Sequence, residues 1–118
     1  MTSHITTSHG ADFFGADTYP IKELRDLAAH LPWALPADEN HQPLTELLES
    51  AGDTELHIEP AQAALLAALL HRTAASKRLN KKHAETAARL SLAAASSATA
   101  SQPWTWTPTG KDHAEVRA

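Results

Sequence analysis

The residues whose types could do chemistry are concentrated between His71 and His83. Arg72, Lys77, Arg78, Lys81 and Lys82 occur there with no acidic residue among them. Such a run could contact phosphates or an acidic partner surface. The remainder of the chain makes it unusual. Residues 1–70 hold two basic and eleven acidic residues and residues 84–118 hold three of each, so a net charge of -4 conceals a local excess of five cations. The competing reading is a solvated turn, or one that pairs with the protein's own acidic first half. Basic helix ends are common and the pI is only about 6.0, whereas nucleic-acid domains usually lie above about 9. Both points favour the plainer reading. Self-pairing would add little, since exposed ion pairs contribute only ~0–1 kcal/mol each.

Eight histidines raise the question of a metal: His4, His9, His30, His41, His57, His71, His83 and His113. Two imidazoles on one helix converge on an ion at i,i+3 or i,i+4, and no pair here has that spacing. His71 and His83 could meet only across a helical hairpin. Solvated or singly hydrogen-bonded histidines are expected, with no metal and no cofactor. His83-Ala84-Glu85 matches the opening of a zinc deaminase signature, but that signature needs two cysteines and the chain has none. Disulfides, thiol nucleophiles and thiolate metal sites are excluded with it. Asp12-Phe13-Phe14-Gly15 carries one residue too many for a kinase magnesium motif, and 118 residues cannot hold a kinase. Gly10 and Gly15 are not followed by Gly-Lys-Ser/Thr, so no phosphate loop is read there. Ser8 and His9 are neighbours and would point apart on a strand. The Ser8–Asp12 stretch could rim a small pocket, but a turn that seats Phe13 and Phe14 in the core is the stronger reading.

These residues need a scaffold, and composition restricts it. A chain of 118 residues makes one domain, expected over 1–108 with a frayed tail at 109–118. Alanine supplies 24 residues, while Leu, Ile, Val and Phe together number only 21. Leucine and alanine dominate and β-branched apolar residues are scarce, so helix is favoured over sheet. Ile21, Leu24, Leu27, Ala28 and Leu31 share a stripe at helical spacing. They predict a helix from Pro20 to Leu31, ended by Pro32. A loop follows to Gln42, then a short helix from Pro43 to Ala51 with Leu44, Leu47 and Leu48 inward and Gly52 as its stop.

Residues 61–102 contain neither proline nor glycine. As one rod they would measure about 60 Å at ~1.5 Å per residue, too long for so small a domain to cover. An αα-hairpin bending between Ser76 and Lys81 is therefore expected, with alanines allowing close approach and Leu65, Leu66, Leu69 and Leu70 forming an apolar ridge. The basic run then falls on the bend. Lys81 and Lys82 would sit in a first helical turn, where the dipole opposes cations by ~0.3–1 kcal/mol each. A local rule broken in this way sometimes marks a site. Trp104-Thr105-Trp106-Thr107 alternates, so both indoles face one side of a strand that Pro108 stops, and they are expected to cover the ridge. Segments near 4–8, 55–58 and 104–107 are candidates for a minimal three-stranded sheet, with Leu56 and Ile58 inward. The fold class is α+β, mainly α.

Ser8-His9-Gly10-Ala11-Asp12-Phe13-Phe14-Gly15 together with Trp104-Thr105-Trp106 resembles a family of small uncharacterised actinomycete proteins. The alanine-rich composition and the Ile58-Glu59-Pro60-Ala61-Gln62-Ala63 helix entry fit the same resemblance, which spans roughly residues 3–107. It brings no activity, ligand or site residue. No apolar run approaches ~20 residues and the first twenty carry no signal-peptide pattern, so a cytoplasmic protein with no membrane partner is expected. The leading functional reading is a non-enzymatic interaction or regulatory module with a protein partner. The alternative is nucleic-acid binding through Arg72, Lys77, Arg78, Lys81 and Lys82. Self-association through the alanine-rich helix is a further possibility, and a small enzyme at the Ser8–Asp12 turn the last.

Overall fold

The structure, a computed structural model, describes residues 4–8, 16–35, 41–50 and 55–109. In chain order these form β1 (His4–Ser8), β2 (Ala16–Pro20), α1 (Ile21–Ala34), α2 (Gln42–Glu49), β3 (Leu56–Ile58), α3 (Pro60–Ala75), α4 (Lys81–Thr99) and β4 (Trp104–Thr109). The class is α+β, mainly α. All neighbouring strands are antiparallel, in the order β2-β1-β4-β3.

The sheet has one apolar face and one polar face, as a period of two requires. Ile5 stands opposite Tyr19, Thr7 opposite Trp106, and Ile58 opposite Trp104. Ile5, Thr7, Tyr19, Trp104 and Trp106 are all buried, and Leu56 and Ile58 are half-buried with His57 exposed between them. Thr6 and Thr18 pair on the other face, their hydroxyls 3.2 Å apart. Both indoles are fully buried, in one core that also holds Leu66, Leu69 and Leu70. Leu65 is the exception. It is 49% exposed and leaves the ridge with three members.

The fold-back lies where chain length demanded it, between Ala75 and Lys81. The hydroxyl of Ser91 donates to the carbonyl of Ala67 at 3.0 Å. A side chain that short reaches the facing backbone only when two helices are close, which the buried Ala63, Ala67, Ala87 and Ala94 permit. Arg89 sits over the Tyr19 ring at 5.6 Å and ties α4 to β2.

Four expectations need correction. The sheet has four strands, not three, because 16–20 pairs with β1. Asp17 and Pro20 hide that strand from propensity, but proline is tolerated at an edge. Pro32 does not end α1, which continues to Ala34. The Leu35 N–H reaches the Leu31 carbonyl at 3.0 Å, and burial of both leucines holds the last turn closed despite the missing proline N–H. Pro108 does not stop β4 either, and it stands opposite Ile5. The β3 ladder reaches only Trp106, so β4 is paired by β1 alone there and one side can spare an N–H. Trp33, assigned to a loop, lies on α1. Smaller shifts move Pro20 to the N-cap of α1 and the start of α2 to Gln42. Gly52, the Phe13–Phe14 turn and the tail beyond Thr109 lie outside the described residues.

Ser101 is the non-glycine residue with positive φ among those described, at 57°. It follows α4, where the Gln102 N–H reaches the Ser97 carbonyl and the Ser101 N–H reaches the Ala98 carbonyl, both at 3.1 Å. This doubly bonded stop turns the chain into β4 and usually employs glycine, which avoids the Cβ clash. Ser101→Gly should therefore stabilise the protein by about 1 kcal/mol, read as a higher urea midpoint with an unchanged slope. A lower midpoint would contradict this account of the turn.

Candidate functional site

The elbow between α3 and α4 is built without glycine. Ser76 ends α3 in extended conformation, and its hydroxyl oxygen accepts the Arg78 N–H at 3.2 Å. Leu79 is buried and anchors the turn to the core. Asn80 restarts the helix from extended backbone, its side-chain oxygen accepting the His83 N–H at 2.8 Å. A side-chain acceptor at each helix boundary satisfies N–H groups that the turn would otherwise orphan.

This frame displays all five cations of the run. Arg72 is in the last turn of α3, Lys77 and Arg78 are in the turn, and Lys81 and Lys82 open α4; every one is exposed. Among the described residues, no ion pair engages Lys77, Arg78, Lys81 or Lys82. The five do not form one uniform patch, because α1 runs past the elbow and divides it. Its N-terminal half brings Lys22, Glu23 and Asp26 beside Lys82 and His83, around a cleft of about 220 Å³ that Pro20 also lines. Its C-terminal end places Trp33, Ala34 and Leu35 beside Ser76, Lys77 and Arg78, around a second cleft of about 360 Å³.

The first cleft answers the dipole mismatch at Lys82. Two carboxylates of α1 face the start of α4, where negative charge suits the helix end. The Thr86 hydroxyl lies 2.9 Å from Glu23 Oε1 and 3.1 Å from the Lys82 carbonyl, so its one proton is shared between two acceptors. The acidic first half of the chain thus meets the basic run at Lys82. The Lys77–Arg78 side has an indole for a neighbour instead.

Beside that cleft two imidazoles meet, with ring centroids of His30 and His83 4.8 Å apart and planes at 39°. His30 Nδ1 donates to the Asp26 carbonyl at 2.7 Å, which fixes the proton on that nitrogen. His83 is 8% exposed and its Nδ1 has no hydrogen-bond partner. His71, which a helical hairpin could have brought to His83, is exposed on α3. Rules of spacing within one helix carry no signal for a contact between residues 53 positions apart. Among the described residues no group of three or more His, Asp or Glu is placed to hold a metal. Ser8 has a structural role, since its hydroxyl accepts the Thr105 N–H at 2.9 Å and its carbonyl the Trp104 Nε1–H at 3.1 Å. His9 lies outside the described residues.

The class is a small α+β domain in which a helical hairpin covers one face of an antiparallel sheet and presents a basic elbow. The chain belongs to the family described as a domain of unknown function, DUF7739, whose model matches residues 10–107. No curated protein and no solved structure matches it.

The Asn80 cap holds the elbow, so its removal has a defined cost. Asn80→Ala should lower stability by about 1 kcal/mol and Asn80→Asp should largely preserve it, both measured by chemical denaturation. Equal midpoints for Asn80→Ala and the native protein would show that the cap carries no weight.

Proposed function

We propose that this protein is a cytoplasmic, non-catalytic interaction module that docks an acidic partner protein through its elbow. The observation that carries the reading is the display of Arg72, Lys77, Arg78, Lys81 and Lys82 at the surface around one turn. Two side-chain acceptors and a buried leucine brace that turn. A braced turn loses little conformational entropy when a partner binds, and clustered cations speed encounter with an acidic surface. No helix among the described residues is long and apolar enough to cross a membrane. A pull-down from the native host should recover a protein that a variant with all five cations replaced by alanine does not hold. Retention of that same protein by the variant overturns the reading.

A second reading, nucleic-acid binding at the same elbow, is favoured by Trp33, which is 66% exposed next to Lys77 and Arg78. Bases stack on exposed aromatic rings while cations hold the backbone. Affinity for a single-stranded oligonucleotide should then fall steeply with salt. Lys81→Ala with Lys82→Ala should flatten the log–log slope by about 0.7 for each phosphate that is no longer neutralised. Undetectable binding at low salt eliminates this reading.

Self-association is a separate proposal supported by α4, where Leu92 is 63% exposed and Ala88 and Ala95 are exposed near it. Light scattering should show mass rising with concentration, and Leu92→Lys should return it to the monomer. A constant monomer mass over a wide concentration range excludes it.

A further inference from the structure

The cleft between the end of α1 and the elbow combines features that neither cations nor an apolar patch would explain alone. Trp33 is the large apolar side chain that α1 leaves in water, at 66% exposure, while Leu24, Leu27 and Leu31 of the same helix are buried. Neither Lys77 nor Arg78 is stacked on its ring. The ring shares a cleft of about 360 Å³ with Ser76, Lys77 and Arg78. That volume lies at the small end of the ~300–1,000 Å³ range of ligand pockets.

The charge balance is positive. Two helix C-termini, those of α1 and α3, approach the cleft. Each end carries about -0.5 of an elementary charge at most, so two full cations leave an excess of roughly one positive charge. Among the described residues neither cation has an ion-pair partner. Ser76 adds a directed donor. Its oxygen already accepts the Arg78 N–H, which leaves the hydroxyl proton to be given to something else.

We propose that this cleft binds one nucleotide unit: the base stacked on the Trp33 indole, and the phosphate held by Lys77 and Arg78 with the Ser76 hydroxyl donating to it. A planar π-system and an anion on one small ligand match the two halves of the cleft. A long duplex does not, because a chain with net charge -4 repels a polyanion away from the elbow. The same chemistry is offered by a free nucleotide and by a residue within a single strand. The inference goes beyond the partner reading, since it needs Trp33 and only two of the five cations.

Calorimetric titration of the full chain with adenosine monophosphate tests it. Saturable one-to-one binding is expected, with inorganic phosphate bound at least about tenfold more weakly for want of stacking. Trp33→Leu, which changes an exposed side chain, should weaken the nucleotide about tenfold or more, as should Lys77→Ala with Arg78→Ala. An oligodeoxyadenylate bound more tightly per site than the mononucleotide identifies a strand as the source; equal affinity identifies the free nucleotide. The proposal is overturned if neither probe saturates at millimolar concentration, or if Trp33→Leu binds as the native chain does. Failure of nucleotide binding at the Lys77–Arg78 pair leaves the five-cation docking of a protein partner to its own pull-down.

Discussion

Trp104 and Trp106 lie two residues apart on a central strand of the sheet, and the organisation of the rest follows from where that puts them. Alternation sends both indoles to one face, where their rings pack edge to face with centroids 5.3 Å apart. β4 is paired by β1 on one side and β3 on the other, so the indoles stand near the middle of the apolar face. An indole or other large aromatic buries ~150–250 Å². In a chain whose apolar content is nearly half alanine, that area is a large share of what the core can bury. The Trp104 Nε1–H bond to the Ser8 carbonyl then locks strand β1 to the pair. Trp106 is less well provided, since its Nε1 and the neighbouring Thr7 Oγ1 are both buried without partners. Each such atom costs ~1–3 kcal/mol, so packing of the ring outweighs a polar penalty at the centre of the core.

That core determines what the elbow can do. α4 packs on β1 and β4, α3 packs on α4 and adds its leucines to the core that holds the indoles, and Leu79 pins the turn against the same core. α1 packs chiefly against α2, and it runs beside the elbow, where Glu23 meets Thr86 and His30 meets His83 of α4. Its sequence is acidic near Glu23 and Asp26 and aromatic at Trp33. The basic run consequently has two different surroundings. One side faces carboxylates and satisfies a helix end, and the other faces an indole and an open cleft. A charge count along the chain treats these five residues alike, but the field at each is set by what the neighbouring helix brings.

The helical hairpin, the burial of both indoles and the exposure of all five cations were legible in the sequence. The first two rest on a local period or on a length limit, 3.6 for the leucines, two for Trp104 and Trp106, and about 60 Å for an unbroken rod, and the third on the cost of burying a charge. β2 was not legible, because Ala16–Pro20 has little strand character of its own and is a strand only by hydrogen bonding to β1. The continuation of helix and strand through Pro32 and Pro108 was hidden for a related reason. Each proline lacks an N–H that the local pattern counts against the element, but the missing bond falls where the surrounding structure does not need it. The His30–His83 contact, the Glu23–Thr86 hydrogen bond and the approach of Trp33 to Lys77 and Arg78 were likewise invisible.

Sequence by itself therefore decided where the main helices lie, which way the two indoles of β4 face and where charge accumulates, since these depend on neighbours within a few positions. The tertiary structure alone decided the fourth strand, the partners of each cation and the content of the clefts. Those depend on contacts between segments tens of residues apart. Such contacts arise only when a shared apolar core makes them simultaneous, and no local period encodes them.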